Sequence, residues 1–297
     1  MRNAFDAYKK LWPEDRHKTL KPFLSQVQCY YFPEDSYQVK LGELNKKNTA
    51  VIYKEKNKSI VNFLVSGFEH ILCSEREDFP QELLATALMV SRSRGFINEP
   101  STYFFNDFRL DTSQIPRRDN NLTIAIQSTE QKDEAFKLLR QFWQQKASME
   151  ALEDVCLQIA DELFTNCFFN APTAGDGLKP FRSVPRERHI TLPAHMKPKL
   201  FTSFTQQKIF VGCEDPFGSV VREPIMYRLE SLYTEAMTSP REHTAGAGLG
   251  FRFLIDNSSN FYVMSEKGKR TLFACGLMLK GLKANQVANK NIHFVVN

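Results

Sequence analysis

Three polar residues recur every four positions near the end of a long apolar run: Glu162, Asn166 and Asn170 in "DELFTNCFFNAP", residues 161–172. An α-helix turns about 100° per residue, so steps of four drift by only about 40° and the three side chains share one narrow sector. Ile159, Leu163 and Cys167 fall beside them on the core side, which sets the row at the margin of the buried face. Polar groups in that position must be satisfied. Hydrogen bonds to neighbouring loops would do this, and so would a polar ligand or a metal ion. An amide oxygen is a neutral, hard ligand suited to Mg²⁺. A carboxylate one turn away can orient or deprotonate a nucleophile.

Two other segments carry groups of the same kind. In "KIFVGCED" the alternation of a strand puts Asp215 on the face of Ile209, Val211 and Cys213. A carboxylate at the end of an apolar face needs a donor, either the exocyclic amine of a base or a backbone N–H. The chain then turns at Pro216 and Gly218. In "EHTAGAGLGF", Gly246, Gly248 and Gly250 alternate and lead into a helical pattern. Glycines let a backbone approach phosphates closely, and a helix N-terminus favours anions. This segment is neither a P-loop, since no G-K-[ST] closes it, nor the dinucleotide fingerprint, whose spacing differs.

The elements that must position these groups can be read from pattern. The polar stretch 111–121 with Pro116 reads as a linker. "LTIAIQS" reads as a strand, and Ala135, Phe136, Leu138, Leu139 and Phe142 mark a helix. A second helix is expected from near Ser148, its cap, to just before Pro172. "KLFTSFTQQKIFVGCED" reads as two strands around a turn at Gln206-Gln207, and "EPIMYRLESLYTEAM" as a helix. "GFRFLIDNSSNFYVMSEKGKRTLFACGL" reads as a short helix and a hairpin turning at Lys267-Gly268. Mixed in this order, strands and helices predict a layered α+β fold.

At 297 residues, 42% hydrophobic and 25% charged, the chain is long enough for two domains with ordinary cores. No apolar run approaches the roughly 18–20 residues that cross a bilayer, so no membrane association is expected. The N-terminus has no secretory pattern, which predicts a cytoplasmic protein. The net charge of +5 is dispersed in short basic pairs, so no nucleic acid is expected as a partner. Six scattered cysteines form no C-x-x-C pair and read as buried thiols.

Taken in order, "ELFTN", "DPFG" and "GAGLG" resemble the N box and the two glycine boxes of the GHKL ATPase/kinase superfamily, over residues 119–280. That superfamily includes histidine kinases, anti-sigma-factor serine kinases and gyrase-type ATPases. The resemblance implies a two-layer α/β sandwich of the Bergerat type over 121–297, binding ATP and Mg²⁺. It implies Glu162 as the catalytic carboxylate and Asn166 as the Mg²⁺ ligand. Asp215 would accept from the adenine amine, supported by Thr271. Gly246, Gly248 and Gly250 would wrap the phosphates, with Asn170 close by and Gly218 in the first glycine box. The family's first box reads D-x-G-x-G, whereas Phe217 and Ser219 stand at its glycines here, and Arg270 replaces the glycine of the usual Gly-Thr pair. These changes narrow the adenine side of the pocket or alter its path.

Among the branches, the helix at 129–146 has no histidine to accept a phosphoryl group, and no lysine-donating domain follows. The layout resembles the anti-sigma-factor serine kinases most. That implies γ-phosphoryl transfer to a Ser/Thr of a regulatory partner, of sigma-factor, anti-anti-sigma or response-regulator type. The alternative is a non-catalytic GHKL-fold switch or scaffold that binds such a partner, with or without nucleotide. A homodimer is compatible with either.

Residues 1–112 form the other predicted domain, with 113–120 as the linker. "TAVIY", "SGFEHIL" and "FPQELLATALMV" resemble the last strands and final helix of a response-regulator receiver. Ser74-Glu75 replaces the receiver's lysine-proline, Lys54 stands where Ser or Thr is usual, and no acidic phosphoacceptor pocket is evident upstream. The resemblance implies a pseudo-receiver; a plain small α/β domain fits the same pattern.

Overall fold

A computed structural model of the chain describes residues 2–32, 44–54, 60–91, 120–174, 177–205, 207–223, 225–226, 249–286 and 289–296. The chain forms two compact units. One comprises Met1–Ile115, Arg222–Ser239 and Ala288–Val295, and the other Pro116–Val221, Pro240–Val287 and the last two residues. The second domain expected over 121–297 is therefore interrupted: Arg222–Ser239 and the chain's last strand cluster with the N-terminal unit.

In the first unit, β1 (Arg2–Asn3), β2 (Gln28–Tyr31), β3 (Thr49–Tyr53) and β4 (His70–Cys73) lie in chain order, and β4 is flanked by the closing strand β10 (Asn291–Val296). β2, β3 and β4 are parallel, while β1 and β10 pair antiparallel at the flanks. Parallel strands are covered on both faces and read as continuous apolar runs. "TAVIY" and "HILC" are buried at every position. Helices α1 (Ala4–Tyr8), α2 (Glu14–Leu24) and α4 (Phe79–Ser91) close a core of Phe5, Leu20, Leu24, Ile52, Leu72 and Leu83. The short α3 (Ile60–Val65) leads into β4.

A buried polar relay ties β10 into this unit. His293 stands opposite His70 in the β4–β10 register, with the two Nδ1 atoms 3.1 Å apart, one donating and the other accepting. The Nε2 of His293 meets Glu82 Oε2 of α4 at 3.0 Å. Asn291 Oδ1 accepts the Cys73 N–H at 2.9 Å. Burial, and then the neighbouring His293, holds His70 well below the usual imidazole range.

In the second unit, β5 (Asn121–Ala125), β6 (Lys199–Phe204), β7 (Lys208–Asp215), β8 (Asn260–Glu266) and β9 (Arg270–Met278) form an antiparallel array in the order 8-9-7-6-5. Helices α5 (Lys132–Trp143), α6 (Glu153–Thr165) and α7 (Leu249–Asp256) pack side by side. All three reach the same sheet face. Trp143 Nε1 donates to Thr202 Oγ1 at 3.0 Å, Cys275 Sγ points to the Leu254 carbonyl, and Cys167, just past α6, meets Cys213 with sulfurs 2.8 Å apart. The opposite face, with Phe201, Phe210 and Tyr262, is buried as well. On that face Gly212 has no room for a Cβ, because the Phe201 ring of its cross-strand partner fills the space.

The second helix does not begin at Ser148. Residues Ala147–Met149 make a 3-10 turn, and α6 starts at Glu153 behind Leu152, which supplies no side-chain cap. Its other end stops before Pro172 as expected, but its last turn, Asn166–Asn170, is a π-helix, with Ala171 N–H donating to the Asn166 carbonyl at 2.8 Å. The 3-10 turn Thr129–Gln131 that leads into α5 carries a signal that pattern reading overlooked: "STEQ" is a literal capping box, with Ser128 and Gln131 as reciprocal partners. The helix expected over "EPIMYRLESLYTEAM" lies almost wholly outside the described residues.

Candidate functional site

The polar row is a hydrogen-bonded ladder. Asn166 Nδ2 donates to Glu162 Oε1 at 3.0 Å, and Asn170 Nδ2 donates to Asn166 Oδ1 at 2.7 Å. All three side chains are half-buried. The π-turn holds the lower half of the ladder; π-turns spliced into α-helices recur at functional sites. Part of the satisfaction that a row at this position demands is thus internal, each amide reaching back one turn.

Two chain-distant groups stand against this ladder. Gly250, in the first turn of α7, approaches so closely that a methyl group there would overlap the Glu162 carboxylate. The third of the alternating glycines is therefore in contact with the first member of the polar row, Glu162. Gly246 and Gly248 lie outside the described residues. The second group is β7, fastened to the π-turn by Cys167 and Cys213, with Asp215 two residues beyond Cys213 on the same face. The Cys213 contact, followed by burial, raises the Cys167 thiol pKa. All six cysteines are buried, and none is in a disulfide.

Asp215 is 3% exposed and begins a row of its own. Thr271 is its antiparallel partner on β9, and Ser265 on β8 partners Thr271, the two hydroxyl oxygens lying 3.3 Å apart. Carboxylate and hydroxyls thus run across the end of three strands on the helix-facing side. Sequence reasoning picked Thr271 but missed Ser265, whose only signal was its place two strands from Asp215. The Asp215 Oδ1 accepts the Phe217 N–H at 2.9 Å, so a backbone amide supplies one of the donors the carboxylate needs. Burial pushes its pKa up to about 7, against the downward pull of the Phe217 and Gly218 amides.

Gly218 is fixed by the fold. At φ +56° its Cβ would run into the backbone of the β8–β9 turn, and its carbonyl accepts the Gly268 N–H at 3.1 Å. The turn that follows Asp215 is in this way pinned to the hairpin that carries Ser265 and Thr271.

Among the described residues no three His, Cys, Asp or Glu side chains cluster as a metal cage. The ladder offers something sparser, one carboxylate and two amide oxygens, of which that of Asn166 also accepts from Asn170. That fits a magnesium ion, which keeps much of its water and takes other ligands from substrate phosphates. No family model matches the chain, and no curated protein matches it.

Proposed function

We propose that the second unit is a Bergerat-type nucleotide site that binds ATP with Mg²⁺ and passes the γ-phosphoryl to a Ser or Thr of a regulatory protein partner. One observation carries this reading: Glu162, Asn166 and Asn170 form one ladder whose acid lies against Gly250. The stretches that resemble the N box and the second glycine box touch there, and β7, which carries Asp215, is fastened to the same π-turn through Cys213 and Cys167.

The roles are those that the resemblance implies. The Asp215 carboxylate, when ionised, accepts the amine of the base, with the Thr271 and Ser265 hydroxyls beside it. Asn166, held by Asn170 and Glu162, would bind the metal through its amide oxygen, which also accepts from Asn170. Bound magnesium would neutralise phosphate charge. Glu162 takes the proton of the attacking hydroxyl as its oxygen bonds to the γ-phosphorus. The bond from that phosphorus to the β–γ bridging oxygen breaks, and ADP leaves. Catalysis of this type rests on positioning and electrostatics.

A second reading is a switch of the same fold without phosphotransfer. The near-complete burial of Asp215 and the engagement of its Oδ1 by Phe217 favour it, since a base must compete for that carboxylate. Thermal melting of the full chain with and without millimolar Mg-ATP tests both. Binding to the native state raises the midpoint, and Glu162→Gln should keep that rise while abolishing phosphotransfer. A rise with no transfer to any partner leaves the nucleotide-dependent switch; no rise ends both ATP-dependent readings and leaves a fold that binds its partner without nucleotide.

A further inference from the structure

The net charge is less evenly spread than its short basic pairs suggest. Residues 181–199 hold Arg182, Arg186, Arg188, Lys197 and Lys199 against Glu187 alone, a net +4 of the chain's +5. All five basic side chains are exposed. Among the described residues none of Arg182, Arg188, Lys197 and Lys199 forms an ion pair, whereas Lys132, Arg140, Arg252 and Lys269 of the same unit each do. The segment makes up most of the connection from the π-turn to β6. Connections usually run about 4–6 residues, and much longer ones are usually functional when ordered.

This one is held in place. The Arg188 N–H donates to the Pro185 carbonyl at 3.0 Å and the Met196 N–H to the Pro193 carbonyl at 2.8 Å, closing two turns. The residues after β5 tie it down, with the Thr129 N–H on the Ile190 carbonyl at 3.0 Å and the Ile126 N–H on the Pro198 carbonyl at 2.9 Å. The Arg186 guanidinium lies 4.3 Å from the centre of the Phe169 ring, which sets the loop against the π-turn. Like charges held in one ordered loop repel one another, and a partner of opposite sign relieves that repulsion. Leu178, just before the segment, is 67% exposed, more than any other large apolar side chain among the described residues. An apolar anchor beside arginines suits a protein surface. Single-stranded nucleic acid asks instead for exposed aromatic rings to stack on, and the only Phe, Tyr or Trp of the segment, Phe181, is half-buried.

We propose that residues 178–199 are the surface that holds the protein partner, and that the partner offers it an acidic segment with an apolar residue for Leu178. This rests on the reading above only for the partner's being a protein, and it needs no nucleotide. The competing account is a solvated loop whose charge serves solubility alone.

The test is titration of the full chain with a peptide of alternating glutamate and leucine, its glutamine-leucine counterpart, and a single-stranded oligonucleotide of the same charge as the first. The acidic peptide should bind about tenfold or more tightly than the other two, with an affinity that falls as salt rises. Exchanging Arg182, Arg188, Lys197 and Lys199 together for glutamine should weaken it about tenfold, the joint effect of four exposed pairs. Leu178→Ser should weaken both peptides and leave the oligonucleotide unchanged. Equal binding of the two peptides, or an acidic peptide indifferent to the fourfold variant, would overturn the proposal and leave the protein-partner reading standing. An oligonucleotide that binds more tightly than the acidic peptide, and loses that binding in the fourfold variant, removes both together. Should that variant not fold, Arg188→Gln and Lys197→Gln tested singly should each weaken the acidic peptide about two- to fivefold, and no loss in either would refute the surface. The Mg-ATP-dependent rise in melting temperature, which the fourfold variant should keep, judges the nucleotide site separately.

Discussion

Asp215 shows how a single residue can serve a site at a cost to the fold. Its carboxyl is 3% exposed, and burial raises its pKa from 3.8 to about 7. A raised carboxyl means that the folded state holds a proton the unfolded chain would release. The contribution is therefore fully present below about pH 4 and is lost as pH rises through about 7. Three pKa steps set an upper limit of about 4 kcal/mol. Asp215→Asn keeps an oxygen for the Phe217 N–H and removes the charge. We expect it to raise stability by about 1–3 kcal/mol at pH 8 and by little at pH 4, read from urea midpoints, while losing the Mg-ATP-dependent rise in melting temperature. In the wild type that rise should grow from pH 6 to pH 8, as the acceptor ionises. An asparagine variant less stable than wild type at pH 8 would show that the charge is not a burden. Gly250 makes the complementary case. Alanine in a helix is ordinarily better than glycine by about 1 kcal/mol. Here a methyl group overlaps Glu162, so Gly250→Ala should instead cost about 1–3 kcal/mol and suppress phosphotransfer.

Among the elements, the turn 215–218 and the β8–β9 hairpin act as one piece. Gly218 meets the hairpin backbone at a positive φ, so Gly218→Ala incurs both strain and overlap and should cost about 2–4 kcal/mol. Amide exchange at Ser265 and Thr271 would report it, and unchanged protection there would mean the hairpin stands without the turn. Much of this architecture was legible. The strands at 199–204, 208–215, 260–266 and 270–278 and the alignment of Glu162, Asn166 and Asn170 follow from local periodicity, which needs no partner to be seen. What was not legible depends on remote atoms. "NIHFVV" has the β-branched content of a strand, but His293 is buried in it only because Glu82 lies 211 residues away to receive it. The start of α6 at Glu153 hides behind a 3-10 turn, because Ser148 is a capping residue type and Leu152 is not. The closeness of Gly250 to Glu162 has no local signature, and only the order of the boxes pointed to it.

At the level of the whole chain, the first unit is built in three visits. The chain enters it at the start, again at Arg222, and again at Ala288. Arg222 donates to the carbonyls of Leu64 at 3.0 Å and Phe68 at 2.9 Å, and its guanidinium lies 5.0 Å from the centre of the Phe294 ring. The last visit supplies β10, which pairs with β4 and gives Glu82 its imidazole partner. Ending the chain at residue 288 would leave Glu82, wholly buried, without that partner. It would also leave the Cys73 N–H without the Asn291 oxygen and Arg222 without Phe294. Leaving a buried polar group without its hydrogen-bond partner costs about 1–3 kcal/mol before any lost strand pairing is counted. The two tryptophans make the consequence measurable, since Trp12 lies in the first unit and Trp143 is fully buried in the second. In single-tryptophan versions of the truncated chain, the Trp12 transition should move to markedly lower denaturant while the Trp143 transition stays near that of the full chain. If both fall together, the strand that closes the first unit also holds up the second, and the two are not independent in energy even though each has its own core.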